Sequence, residues 1–173
     1  MTEILRTRDL VVLFKGDSYP VMIDDTMKAN GWAGGQGVQW TDAPIDEFMV
    51  TYSGGIYGGF LLWGSNESSD QFTAITGQQV AYGYAILCAG GWLISTSIYE
   101  RYTYASRHGL GPLVPNIYTV GERLVFSNRG LFTREDEWTA SLDPRKPNTY
   151  YIANVVEVPS ADNNWFITVQ TSI

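Results

Sequence analysis

The residue types best suited to catalysis are scarce in this chain. It carries one histidine, His108, and one cysteine, Cys88. A Ser-His-Asp or Cys-His nucleophile system would have to use that single imidazole. His108 opens a Gly/Pro segment, His108-Gly109-Leu110-Gly111-Pro112, and no G-x-S-x-G elbow occurs anywhere. Cys88 sits among Ala, Ile and Leu, where a thiol behaves as a small hydrophobe. One cysteine cannot close an internal disulfide. One Cys and one His also fall short of a Cys/His zinc site. Phosphate cradles are missing too: the glycines at 31, 34, 35 and 37 lead into Val38-Gln39-Trp40-Thr41, not into a Lys-bearing helix start. The remaining acid/base material is Asp24-Asp25, Asp46-Glu47 and Glu135-Asp136-Glu137. Two carboxylates ~5–10 Å apart can cleave a glycosidic bond, but adjacent acids in loops read as solvated surface. The expectation is a non-enzyme with no catalytic residue, no metal and no cofactor.

The elements that would position any site read as β. Leu10 to Phe14 is a short apolar run, Gly16 to Pro20 a turn cluster, and Val21-Met22-Ile23 its expected return partner. Between Trp92 and Tyr99 the residues alternate, with Trp92, Ile94, Thr96 and Ile98 on one face. Arg123 to Ser127, a turn at Asn128-Arg129-Gly130, and Leu131-Phe132-Thr133 read as a hairpin. Tyr150 to Val158 and Trp165 to Thr171 read as a second, closing hairpin. The uncharged stretch Val80 to Ile94 is short of the ~20 residues a spanning helix needs and is broken by glycines. Two buried strands around a Gly90-Gly91 turn fit it better. Ala43 to Met49 could form one helical turn, and no longer helical period is visible. The fold class expected is all-β: an antiparallel β-barrel or sandwich of short strands, with glycine-rich loops and little helix. Residues 1–40 read as an N-terminal arm and glycine-rich loop, and 41–173 as a β domain with a possible lobe boundary at 108–116.

Charge decides which partners are excluded. The net charge is −7, and the longest basic run is the pair Arg145-Lys146. Nucleic acid needs a basic footprint, and an anionic membrane surface would repel the chain. The first residues, Met1-Thr2-Glu3-Ile4, lack the basic and apolar regions of a signal peptide. From residue 29 to residue 100 no Lys or Arg occurs, while six Trp and eleven Tyr enrich the chain in aromatics. Loss of charge with gain of aromatics marks interface cores, and uncharged strand edges need a cover. The interface candidates are therefore Trp32, Trp40, Trp63, Trp92, Tyr99, Leu131 and Phe132, with copies of the same chain as the expected cover.

The segment from Tyr118-Thr119-Val120-Gly121-Glu122-Arg123 through Leu124-Val125-Phe126-Ser127-Asn128-Arg129-Gly130 to Leu131-Phe132-Thr133 resembles the capsid decoration (cement) proteins of tailed bacteriophages. The resemblance continues in Asn154-Val155-Val156-Glu157-Val158-Pro159 and in Trp165 to Val169, and covers about 55 residues. The charged insert from Arg134 to Asn148 departs from the short hairpins of that family. The resemblance implies a virion structural protein, made in the host cytoplasm. It would bind the assembled shell, bridge neighbouring subunits of the major capsid protein, and assemble as a homotrimer. Other expectations are a tail, neck or fibre component, or a carbohydrate-binding β module.

Overall fold

The computed structural model describes residues 5–6, 9–40, 49–51, 57–64, 84–107, 109, 111–127, 129–135 and 152–172. In chain order the strands are β1 (Leu5–Arg6), β2 (Leu10–Phe14), β3 (Ser18–Ile23), β4 (Gly37–Trp40), β5 (Met49–Thr51), β6 (Tyr57–Leu61), β7 (Tyr84–Cys88), β8 (Leu93–Thr96), β9 (Arg123–Phe126), β10 (Phe132–Arg134), β11 (Ala153–Glu157) and β12 (Ile167–Thr171). Seven of them form one sheet in the order β1-β2-β8-β12-β11-β9-β10, and the other five close a barrel, β3-β5-β4-β6-β7. Among the described residues, every pairing between these strands is antiparallel except β3 with β5. The chain is all-β, as its short alternating runs predict.

Alternation shows how the two sheets pack. Along β7, Ala85 and Leu87 belong to one buried cluster with Val21, Ile23, Met27, Val38, Val50 and Leu61. Ile86 and Cys88, on the opposite face of the same strand, join a second cluster with Phe60, Leu62, Trp63, Trp92 and the inner face of the large sheet. The first cluster fills the barrel and the second lies between barrel and sheet. Across the sheet Val12, Ile94, Val169 and Val155 stand in register as one row, and all four are buried. β-Branched side chains suit this pleated, covered surface.

This arrangement accounts for part of the uncharged stretch. Phe60 and Leu61 of β6 and Ala85 to Cys88 of β7 are buried alternately by the barrel interior and by the large sheet, so neither face needs polar side chains there.

Pairing differs from expectation at three places. Val21-Met22-Ile23 does not return along β2; it lies in β3, which pairs with β5 and β7, while β2 pairs with β1 and β8. Residues 10–23, read as part of an arm, are strands of both sheets with Leu10, Val12, Val21 and Ile23 buried. Residues 111–116 lie within the connection between β8 and β9, two strands of one sheet, while 108 and 110 of the expected boundary lie outside the described residues. The two expected hairpins are present as β9–β10 and β11–β12. Gly90-Gly91 does separate two strands, β7 and β8, but these enter different sheets. Residues 43–48 of the expected helical turn lie outside the described residues; Met49 begins β5.

Two short helices escaped the sequence reading. The first, α1 (Asp25–Asn30), is capped by Asp24, whose side chain accepts from the Met27 N–H at 2.9 Å. The Asp24-Asp25 pair is thus a cap and a first-turn acid, with Asp25 3.8 Å from Lys28. The second, α2 (Tyr104–Arg107), follows Thr103, whose hydroxyl accepts from the Ser106 N–H at 3.4 Å.

The glycine-rich loop is a joint between the sheets. Gly37 begins β4, and its N–H donates to the Gly130 carbonyl at 2.6 Å in the β9–β10 turn. A Cβ on Gly37 would stand 2.5 Å from the Phe126 ring. Trp32 donates through Nε1 to the Trp63 carbonyl at 2.8 Å, closing the loop over the barrel.

Candidate contact surface

The most unusual side chain is Glu100, which lies just beyond β8 and is fully buried. A carboxylate without water must be matched by donors, and this one is. Its Oε1 accepts from the Ser127 hydroxyl at 2.8 Å and from Arg129 Nε at 3.0 Å. Its Oε2 meets Arg129 Nη2 and, at 3.0 Å, Arg107 Nη1. The hydrogen bond and charge of Glu100 hold the Arg129 guanidinium above its usual pKa, against the cost of its own partial burial.

The backbone around Glu100 is fastened as firmly. Its N–H donates to the Phe132 carbonyl at 2.8 Å. Its carbonyl accepts from the Tyr118 hydroxyl at 2.5 Å and from Asn116 Nδ2 at 3.1 Å. Asn116 Nδ2 also donates to the Tyr102 carbonyl at 3.1 Å, and Arg107 Nη1 donates to that carbonyl at 2.7 Å. Residues 101–103 thereby run back along 114–116, with Thr103 and Asn116 N–H groups donating to Val114 and Arg101 carbonyls at 2.9 and 2.8 Å. The network pins a long excursion, from the end of β8 through α2 and back, onto the edge formed by β9 and β10.

The excursion carries exposed apolar groups. Leu113, Val114, Ile117 and Val120 are 61%, 47%, 74% and 70% exposed. Beside them opens a cleft of about 440 Å³ walled by Tyr99, Tyr102 and Tyr118, by Pro115 and Ile117, and by Pro159 and Trp165 of the β11–β12 connection. Arg101 is the one cationic side chain on its lining, with its guanidinium 5.7 Å from the Tyr99 ring centre. Burial raises the Tyr99 hydroxyl pKa, and the Arg101 charge partly offsets that rise.

Trp165 has an uncommon backbone. Asn164 and Trp165 are consecutive left-handed residues at φ 57° and 60°, a conformation that costs a bulky residue about 1–3 kcal/mol. The turn is held by its neighbours. Asn163 Oδ1 accepts from the Ser160 N–H at 2.8 Å, and its Nδ2 donates to the Val158 carbonyl and the Glu157 carboxylate, both at 2.9 Å. The Trp165 N–H donates to the Ser160 carbonyl at 2.8 Å, and the Trp165 carbonyl accepts from the Tyr99 hydroxyl at 2.6 Å. The indole is left 53% exposed at the cleft.

The interface candidates fall elsewhere. Trp63, Trp92 and Phe132 are buried in the core between barrel and sheet, and Tyr99 shows only the face it gives the cleft. Trp32 and Trp40 pack half-buried against the barrel core, and Leu131 is half-buried. As side chains covered within one chain, Trp63, Trp92 and Phe132 cannot meet another protein without unfolding this one. Among the described residues, the large apolar side chains that are exposed are Phe14, Tyr102, Leu113, Val114, Ile117, Val120, Val156 and Trp165, none of them an interface candidate. Nothing local marks them as uncovered. Of the residues weighed for chemistry, Cys88 is fully buried and its thiol pKa is pushed up by that burial. His108, Asp46, Glu47, Asp136 and Glu137 lie outside the described residues. Among the described residues, no three His, Cys, Asp or Glu side chains converge as a metal site would require. Comparison with protein-family models, with curated proteins and with solved structures finds no match for this chain.

Proposed function

We propose that this chain is a virion structural protein, a capsid decoration or cement protein. In this reading it binds the assembled shell, bridges neighbouring capsid subunits and acts as a homotrimer. The observation that carries the reading is the apolar excursion: Leu113, Val114, Ile117 and Val120 are all exposed within one segment that the Glu100 network holds rigid. Exposed apolar groups concentrated in this way mark contact surfaces. A rigid mount spares the ordering entropy that a loose loop would lose on binding. Bridging several subunits then multiplies a modest contact through effective concentration.

The test is co-sedimentation with preassembled shells of the particle whose genome carries the gene, followed by thermal melting of the decorated shells. The chain is expected to pellet with the shells and raise their melting temperature. Replacing Ile117 and Val120 together by Asp, at positions exposed enough to leave the fold intact, is expected to weaken binding by about tenfold or more. A chain that stays in the supernatant with intact shells overturns the reading.

A further inference from the structure

The cleft beside the excursion has a chemistry of its own. We propose that it binds an extended, proline-containing peptide segment bearing an acidic side chain, contributed by a partner protein. Its walls are ring faces and aliphatic edges: Tyr102, Trp165, Pro115, Pro159 and Ile117. Grooves of this composition suit polyproline-type segments, which are extended before binding and need few hydrogen bonds from the site.

Three of the cleft's hydrogen-bond donors are already used within the chain. Tyr99 and Tyr118 each spend their one hydroxyl hydrogen on a backbone carbonyl, of Trp165 and Glu100 respectively. Asn116 Nδ2 spends both hydrogens on the carbonyls of Glu100 and Tyr102. These donors are taken, and proline rings and aliphatic side chains do not call on them.

Charge selects the rest of the occupant. Arg101 is exposed, touches the Tyr99 ring, and has no carboxylate partner among the described residues. In a chain of net charge −7, a cleft whose single formal charge is positive favours an anionic segment. The left-handed turn at Asn164 and Trp165 supports the same conclusion, since backbone strain held in place by surrounding bonds clusters at binding sites. Here it leaves an indole exposed at the cleft wall.

This inference rests on the contact-making reading of the surface but not on a shell as the partner, so it is tested without one. The probe is an acetylated oligoproline peptide with two central glutamates, titrated into the full chain by calorimetry. The same peptide with lysines in place of the glutamates, maltohexaose and chitohexaose are titrated alongside. Saturable binding of the acidic peptide is expected, with the lysine peptide weaker. Trp165→Gly, which suits the left-handed backbone, is expected to weaken binding by about tenfold. Arg101→Glu, at an exposed position, is expected to reverse the preference between the two peptides. No saturable response to the acidic peptide up to about 1 mM, a range that covers weak complexes, overturns the proposal. So does an unchanged preference in Arg101→Glu, or oligosaccharide binding that Trp165→Gly removes. Peptide binding without shell binding would sink the shell reading alone, and shell binding without peptide binding would sink this one alone.

Discussion

Glu100 concentrates the energetics of this protein in one side chain. A buried ion pair is not by itself stabilising relative to well-packed apolar groups, but removing one partner leaves the others buried and unmatched. Glu100→Gln keeps the shape and removes the charge that faces two guanidinium groups. Arg107, whose side chain is 12% exposed, has little water to replace it, whereas Arg129 is 57% exposed and can turn outward. Glu100→Gln is therefore expected to lower stability by about 3 kcal/mol in urea unfolding. Arg129→Ala is expected to cost clearly less, because Arg107 still faces the carboxylate. The opposite ranking would show that Arg129 carries the network. In the sequence Glu100 looks like an ordinary acid at the end of an alternating run. Its partners Ser127 and Arg129 lie 27 and 29 residues away, and no local pattern links them.

At the scale of elements, the contact between β4 and the β9–β10 hairpin sets how closely barrel and sheet approach. The Phe126 ring lies over the Gly37 Cα, and the added carbon of Gly37→Ala would overlap it. Overpacking of this kind costs about 1–3 kcal/mol, and thermal melts should show that loss. Phe126→Leu leaves room for the new methyl group, so combining it with Gly37→Ala should cost less than the two single losses added together. Strict additivity would mean that the two residues do not meet. The same loop looked like a flexible linker in the sequence. Gly37 is there because the Phe126 ring approaches its backbone too closely for a side chain, and Gly35 because its φ of 94° places a Cβ 2.9 Å from Thr96 Oγ1. Helix α1 shows the reverse case. Its Asp24 cap, first-turn Asp25 and following Gly31 are all local signals, but six residues are too few to establish a helical period.

For the whole molecule, the main feature is a closed barrel packed by its outer face against a seven-stranded sheet. Cys88 lies at that junction, fully buried, with its thiol pKa raised by loss of solvent. It is the one thiol in the chain, so it reports the junction cleanly. Labelling with a disulfide reagent at pH about 8 should be slow in the folded protein and prompt in concentrated urea, because the thiolate forms only once burial is lifted. Prompt labelling of the folded chain would show that barrel and sheet separate readily in solution. The aromatic richness of the chain serves this junction: Phe60 and Trp92 meet edge to face at 5.8 Å, and Phe126 lies 4.8 Å from Phe132.

The amino-acid sequence by itself determined several of the strands and the two local hairpins, because alternation and turn residues act over a few positions. Leu10–Phe14, the faces of Trp92 to Thr96, β9–β10 and β11–β12 all follow from neighbours in the chain. It also carried the scarcity of catalytic residue types and the long stretch without basic residues. Only the tertiary structure decided what covers each face. Alternation marks one apolar face and a continuous apolar run marks two, but neither says whether a face is met by another chain or by a distant part of the same one. Cys88 and Leu93 are five positions apart yet belong to different sheets, and Glu100 finds Ser127 and Arg129 across the fold. Those partners are chosen by long-range packing and by the cost of leaving a charge unmatched away from water, and neither is written in a local pattern.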